Sequence, residues 1–339
     1  MNLDDIEGIS KVDREGMLDV IEKFPEQVGE AADMMKSFPS PDFDVENVII
    51  TGMGGSAIGG EMIASLFKKE SKVPIIVNRG YELPSFAGEK TLLVAASYSG
   101  NTEETLSCFE EAVERGCKTI TISSGGKLEK ESEKADFYIK IPGGMQPRAA
   151  LAYLLLPSMA ILEKVGITGK TDVNETVKVL GKLRAVIKKD VPARDNPAKR
   201  IASGISGIPL VYGHGILAVA ARRWRQQLNE NAKMRAFDFS VPEANHNEIM
   251  SWEGNGGDTT CIFLRDSGEG KQIRKRFDYM KEVYGKMAKV EEIYVEGEDA
   301  FSRLMYAVYM GDCVSNYCAV LRDIDPTPVG LIQELKKKL

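Results

Sequence analysis

The chain has 339 residues, 43% hydrophobic and 28% charged, a balance that fits a soluble globular protein and excludes a disordered one. Asp and Glu outnumber Lys and Arg by 50 to 44, and a net charge of −6 argues against a general binder of nucleic acid or anionic membrane, which needs a concentrated positive face. The length suits two domains, and with His214 and His246 as the only histidines, zinc chemistry built on several imidazoles is excluded.

Residues 3–37 read as helical, with apolar positions recurring at helical spacing among charges. The first residues lack the basic-then-apolar pattern of a secretory signal, so a cytoplasmic location is expected. From residue 45 the pattern changes to short apolar runs at 48–51, 73–77, 91–96, 119–122 and 137–141, separated by helical stretches at 61–68 and 103–115. Strands with little alternation, spaced by helices, indicate a parallel sheet covered on both faces. The most apolar stretch, residues 149–162, contains Pro157 and at about fourteen residues is too short to span a bilayer; it fits a buried core helix. A first α/β domain is expected over residues 1–168.

A charged helix over 171–189 then leads into a second domain, 169–339, where the alternation restarts. Strands are expected at 209–212, 261–264 and 292–295, with helices at 216–228, 271–287, 300–321 and from 329 to the end. The halves resemble a degenerate repeat: Gly52 maps to Gly213, 161 residues later, and Thr119 to Glu292, 173 residues later. The expected fold class is therefore α/β, with two tandem doubly wound domains. The cysteines, Cys108, Cys117, Cys261, Cys313 and Cys318, are odd in number with no C-x-x-C pair, and read as buried reduced thiols.

Two loops carry the chemistry. Gly52-Met53-Gly54-Gly55-Ser56-Ala57 follows a strand and opens a helix. Glycines there allow positive φ and close approach of a ligand, and helix-start N–H groups favour an anion. A nucleoside-triphosphate loop is excluded, because no lysine lies between Gly52 and Phe67. A dinucleotide turn fits the spacing, but the next strand ends Val77-Asn78-Arg79 instead of in an acid. The second loop is Ser97-Tyr98-Ser99-Gly100-Asn101-Thr102, also at a strand-to-helix handover. One helix cap explains one hydroxyl, not three. Ser56, Ser97, Ser99 and Thr102 can converge where strand C-termini bind ligands in open parallel sheets. With no Lys or Arg in either loop, hydroxyls and backbone dipoles suit a sugar monophosphate better than a triphosphate.

These residues resemble the sugar isomerase (SIS) domain. With Gln226-Gln227-Leu228-Asn229-Glu230-Asn231 and Glu243-Ala244-Asn245-His246-Asn247-Glu248 in the second half, residues 45–339 are similar to the archaeal-type bifunctional phosphoglucose/phosphomannose isomerases. The resemblance implies a homodimer that needs no metal or other cofactor and converts glucose 6-phosphate and mannose 6-phosphate to fructose 6-phosphate through a cis-enediol. It places the phosphate on Gly54, Gly55, Ser56, Ser97, Ser99 and Thr102. It makes Glu230 the base between C2 and C1, His246 the ring-opening group reaching a neighbouring subunit's site, and Arg148 the cation beside the enediolate. Thr327 and a lysine of the last helix, Lys336, become substrate contacts. The second domain has Asp266-Ser267-Gly268-Glu269-Gly270 where the first has its serine-rich loop, so no second phosphate site is expected. The rivals are a sugar-phosphate sensor, an NADP-dependent oxidoreductase built on the Gly52 loop, and an isomerase of another sugar phosphate.

Overall fold

The computed structural model describes residues 2–254 and 257–338. The expected helix over 3–37 is three helices, α1 (Ile6–Val12), α2 (Met17–Glu22) and α3 (Phe24–Met34). Asp13 makes the break: its buried carboxylate accepts the N–H groups of Met17 (2.7 Å) and Leu18 (2.8 Å), and Gly16 turns the chain at φ 68°.

The chain continues through β1 (Asn47–Thr51), α4 (Gly55–Leu66), β2 (Ile75–Asn78), β3 (Thr91–Ala96), α5 (Glu103–Glu114), β4 (Lys118–Ser123), α6 (Gly126–Lys130), β5 (Phe137–Lys140), α7 (Leu151–Lys164) and α8 (Val173–Ile187). β1 to β5 form a wholly parallel sheet in the order β2-β1-β3-β4-β5. β3 is buried at every position and β1 from Val48 on, which is why they read as continuous apolar runs. α7 is the expected buried helix, with Pro157 inside it.

Next come α9 (Pro197–Gly204), β6 (Ile208–His214), α10 (Ile216–Glu230), β7 (Phe237–Val241), β8 (Thr259–Asp266), α11 (Lys271–Tyr284), β9 (Lys289–Val295), α12 (Ala300–Leu321) and α13 (Gly330–Lys336). This sheet is parallel in the order β7-β6-β8-β9. β7 was not expected from the sequence. It is an edge strand, Phe-Asp-Phe-Ser-Val, with Phe237 half exposed and Asp238 paired with Arg222 and Arg225, so it lacks the apolar run of the others. α12 is buried along nearly its whole length.

Two compact units result: Phe24–Val177, and the residues up to Lys23 together with those from Lys178 on. The boundary thus lies inside α8 and not after residue 168, and α1 and α2 group with the second sheet. Polar contacts explain the grouping. Ala193 N–H donates to Asp4 (2.7 Å), Lys189 N–H to the Glu22 carboxylate (2.8 Å), and the Tyr309 hydroxyl to the Glu22 carbonyl (3.3 Å). α2 also packs on α12. All five cysteines are free and buried. Among the described residues no helix is long and apolar enough to cross a membrane.

Candidate active site

In the order β2-β1-β3, the chain leaves β1 in one direction and returns on its other side, so the C-terminal ends of β1 and β3 border a topological switch point. Both predicted loops sit there. Gly52 has no room for a side chain: a Cβ would lie 2.6 Å from that of Ser56 and 2.8 Å from the Ala96 carbonyl oxygen. Gly54 takes φ 52° and ψ −117° to start α4. Ser56 and Ser97 are buried, Ser99 and Thr102 partly so. The Ser97 and Thr102 hydroxyls are hydrogen-bonded at 2.9 Å. Thr102 is the N-cap of α5, yet its side chain makes no capping bond, and α4 likewise starts without a side-chain cap. Two helix N-termini therefore meet the ends of adjacent strands, and the Ser97 and Thr102 hydroxyls bond each other instead of capping a helix.

A third loop, after β4, buttresses the second, and sequence reasoning did not single it out. The Ser124 Oγ donates to the Tyr98 carbonyl (2.7 Å), and Leu128 N–H to the Gly100 carbonyl (3.0 Å). A Cβ on Gly100 (φ 66°) would lie 1.8 Å from the Gly125 carbonyl oxygen. The one available signal was Ser123-Ser124-Gly125-Gly126 at a strand end. Tyr98, lying between two of the serines, accepts the Met145 N–H through its phenol oxygen (2.9 Å). That bond ties down the segment before Arg148, and burial raises the phenol's pKa. Arg148 follows on a 3-10 turn, Pro147–Ala149, and is 3% exposed. A side chain on Gly55 would sit 3.2 Å from the Pro147 carbonyl oxygen, so the first loop and the Arg148 turn are in close contact. This unit thus brings Gly54, Gly55, Ser56, Ser97, Ser99, Thr102 and Arg148 to one end of one sheet.

The other unit carries Glu230, His246, Thr327 and Lys336. Glu230 is the last, half-buried residue of α10, which docks on α12 through three polar links. Arg223 pairs with Asp312 (3.0 Å), the Trp224 indole N–H donates to the Ala307 carbonyl (2.7 Å), and Asn231 donates to the Ser315 hydroxyl (2.9 Å). Gly311 is needed for this docking, since a Cβ would come within 2.3 Å of the Trp224 indole nitrogen. Thr327 is 3% exposed in a turn whose Asp325 carboxylate accepts its N–H (3.1 Å). Lys233, missed from sequence, joins Glu230 to this turn: its ammonium donates to the carbonyls of Glu230 (2.5 Å) and Pro326 (3.2 Å).

His246 and Lys336 stand exposed on elements of their own. His246 ends a 3-10 turn, Glu243–His246, after β7. Two residues on, the Glu248 carboxylate accepts bonds from the Tyr212 hydroxyl (2.7 Å), the Trp252 indole (2.8 Å) and the Tyr284 hydroxyl (2.8 Å), with Trp252 stacked on Tyr284 at 4.1 Å. Burial, reinforced by that carboxylate, pushes both phenols far above their ordinary pKa. Glu248 thus pins the His246 segment to β6 and α11. Lys336 closes α13. His214, read as structural, has its ring Nδ1 2.8 Å from the Val241 carbonyl oxygen. At the end of β8 Asp266 pairs with Arg303 (2.9 Å), and in the loop beyond it Glu269 pairs with Arg265, so carboxylates stand where the first sheet presents hydroxyls. Among the described residues no cluster of His, Cys, Asp and Glu is arranged to hold a metal ion.

The SIS domain family model matches residues 43–164, and that of the bacterial phospho-glucose isomerase C-terminal SIS domain matches residues 194–339. A bifunctional phosphoglucose/phosphomannose isomerase of Caldicellulosiruptor bescii is 41% identical over 334 residues, covering 95% of this chain and 98% of its own. The chain belongs to the bifunctional phosphoglucose/phosphomannose isomerase family. Further relatives of that name share 34–36% identity over most of the chain. A D-glucosamine-6-phosphate 4-epimerase of Sulfolobus acidocaldarius is 35% identical over 62% of this chain and 66% of its own. Among solved structures, a glucose-6-phosphate isomerase-like protein from Thermus thermophilus aligns over the whole of both chains with TM-score 0.63 at 18% identity, a likeness of fold.

Proposed function

We propose that this member of the family interconverts glucose 6-phosphate, mannose 6-phosphate and fructose 6-phosphate, using side chains alone to move the protons. The observation that carries the reading is the Ser97–Thr102 hydroxyl pair beside two helix N-termini without side-chain caps at the β1/β3 switch point. That is a site for a dianionic phosphate with no lysine in it. Ser56, Ser97, Ser99 and Thr102 hold the phosphate, and this remote anchor holds the reacting carbons in place.

His246 moves the ring proton to open the sugar; histidine is the side-chain type suited to exchange near neutral pH. Glu230 then takes the proton from C2. The C2–H electron pair forms the C1–C2 double bond, and the carbonyl oxygen becomes the enediolate oxygen, stabilised by the Arg148 guanidinium. A proton passes from the C2 hydroxyl to the C1 oxygen, the C2 oxygen becomes the carbonyl as its electron pair forms C2=O, and the C1–C2 double-bond pair takes the proton back from Glu230 at C1, giving the ketose. Mannose 6-phosphate differs at C2, and the small Thr327 side chain leaves room for rotation about C2–C3, so both epimers reach one cis-enediolate. Lys336 is assigned as a substrate contact. A cytoplasmic homodimer belongs to the same reading.

The test is fructose 6-phosphate formation from each aldose in EDTA, with Glu230→Gln alongside. Turnover of both substrates is expected, with kcat lowered roughly 10²–10⁴-fold in the variant. Wild-type turnover in Glu230→Gln rejects that base. The epimerase relative supplies the second reading, an amino-sugar phosphate substrate. Turnover of D-glucosamine 6-phosphate with neither hexose phosphate used would favour it.

A further inference from the structure

The chemistry above leaves Lys233 without a role, although it lies three residues beyond the assigned base. Its backbone is left-handed, φ 52°, one of two non-glycine residues so found among those described; the other is Asp323, two residues beyond α12. L side chains adopt this conformation at a cost, and such outliers persist where their surroundings over-determine them. Here the conformation accompanies a fold-back of the chain onto the last turn of α10. Met234 N–H donates to the Leu228 carbonyl (3.1 Å), and the Asn229 amide to the Met234 carbonyl (2.7 Å). The Lys233 ammonium donates to the carbonyl of Glu230 (2.5 Å), among the last of the helix, where a cation is favoured. The same ammonium donates to the carbonyl of Pro326 (3.2 Å), which lies 93 residues further along the chain and directly before Thr327. The far side of that turn is held by the Asp325–Thr327 bond and by Arg14, 3.9 Å from the Asp325 carboxylate.

We propose that Lys233 is a positioning residue, a clamp that sets the end of α10 against the 325–327 turn and so fixes where the Glu230 carboxylate meets the carbon it deprotonates. The inference rests on the assignment of Glu230 as base and of Thr327 as substrate contact. A base displaced by about 1 Å costs up to roughly 10²-fold in rate. A looser base also exposes the captured proton to water, so less of it returns to C1.

The experiment compares Lys233→Met, Lys233→Arg, Lys233→Gly and Glu230→Gln with the wild type. The readouts are kcat, KM, Tm, and the share of C2 deuterium delivered to C1 instead of lost to solvent. Lys233→Met is expected to lower kcat about 10–100-fold with KM within about threefold, and to increase the loss of label. Lys233→Arg, which keeps a cationic donor, should recover part of kcat. Lys233→Gly removes both the ammonium and the left-handed strain, so its Tm should match or exceed the wild type while kcat stays low. A kcat within about twofold of wild type in Lys233→Met, with Glu230→Gln inactive, overturns the clamp and leaves the base standing. Recovery of kcat together with Tm in Lys233→Gly reduces Lys233 to a structural role and also overturns it. An active Glu230→Gln removes the base assignment and the clamp with it.

Discussion

Asp312 on α12 holds α10 through a buried ion pair with Arg223. Its carboxylate takes two bonds from Arg223, at 3.2 and 3.0 Å, with both side chains at most 5% exposed. Such a pair adds little net stability over an apolar pair, but removing one partner strands a buried charge. Asp312→Ala is therefore expected to lower stability by about 3–5 kcal/mol in denaturant unfolding, with much of the loss recovered when Arg223→Met is added. Lys199 gives a second residue-scale outcome. Its side chain is fully buried, with the ammonium donating to the Lys189 carbonyl (2.8 Å) and lying 3.5 Å from Asp4. Burial outweighs Asp4 and lowers its pKa from 10.5. Between the lowered value and 10.5 the unfolded chain binds the extra proton and the folded one does not, so this group's contribution improves as pH rises. The Tm difference between wild type and Lys199→Met should shift in favour of the wild type as pH is raised towards 10.5. A flat difference would show that Lys199 titrates normally in the fold.

For elements, the sequence was most legible where one physical rule dominates. β3 and α12 have the bounds expected from apolar runs and helical spacing, because each is buried all round and tertiary context adds no competing pattern. The hydroxyl loop was legible because three hydroxyls beside a glycine exceed what one cap requires. β7 was missed because an edge strand needs no continuous apolar face, and the α1–α2 break because a single aspartate made it through backbone bonds. Lys233 and the Ser124 buttress were illegible for another reason: their partners, Pro326 and Tyr98, are fixed only by the fold. The buttress has its own consequence. Gly100→Ala would drive a methyl into the Gly125 carbonyl and strain a positive φ, so the loops after β3 and β4 must move apart. The expected result is a rise of roughly tenfold or more in KM for hexose 6-phosphates, from loss of about one charge-assisted hydrogen bond to phosphate, read by steady-state kinetics. An unchanged KM would mean that the hydroxyls do not contact the phosphate.

Across the whole molecule, the expected repeat has a structural counterpart. The sheets share the order β2-β1-β3-β4 and β7-β6-β8-β9. Gly54 and Gly215 open α4 and α10 with nearly the same backbone, φ 52° and ψ −117° against φ 58° and ψ −123°. Gly52 and Gly213, just before them, both lack room for a Cβ. The copies differ in what the next loop offers: hydroxyls after β3, and carboxylates engaged by arginines after β8. Inorganic phosphate should accordingly bind once per chain in calorimetry, and Ser97→Ala combined with Thr102→Val should abolish that binding. Two equivalents would mean that the second copy also holds an anion.

The grouping of α1 and α2 with the unit that begins at Lys178 bears on how the chain emerges during translation. Phe24–Val177 is contiguous in the chain, whereas the other unit is made of two separated segments. α1 and α2 are made before their partners on α9 and α12, which come roughly 200–300 residues later, a delay of about 10–60 s at 5–20 residues per second. Leu18 and Ile21, each under 5% exposed in the finished fold, lie on α2, which waits through that interval for α12. Helices made before the intervening unit are thus secured only after it, and that interval is where a nascent chain is exposed to misassembly.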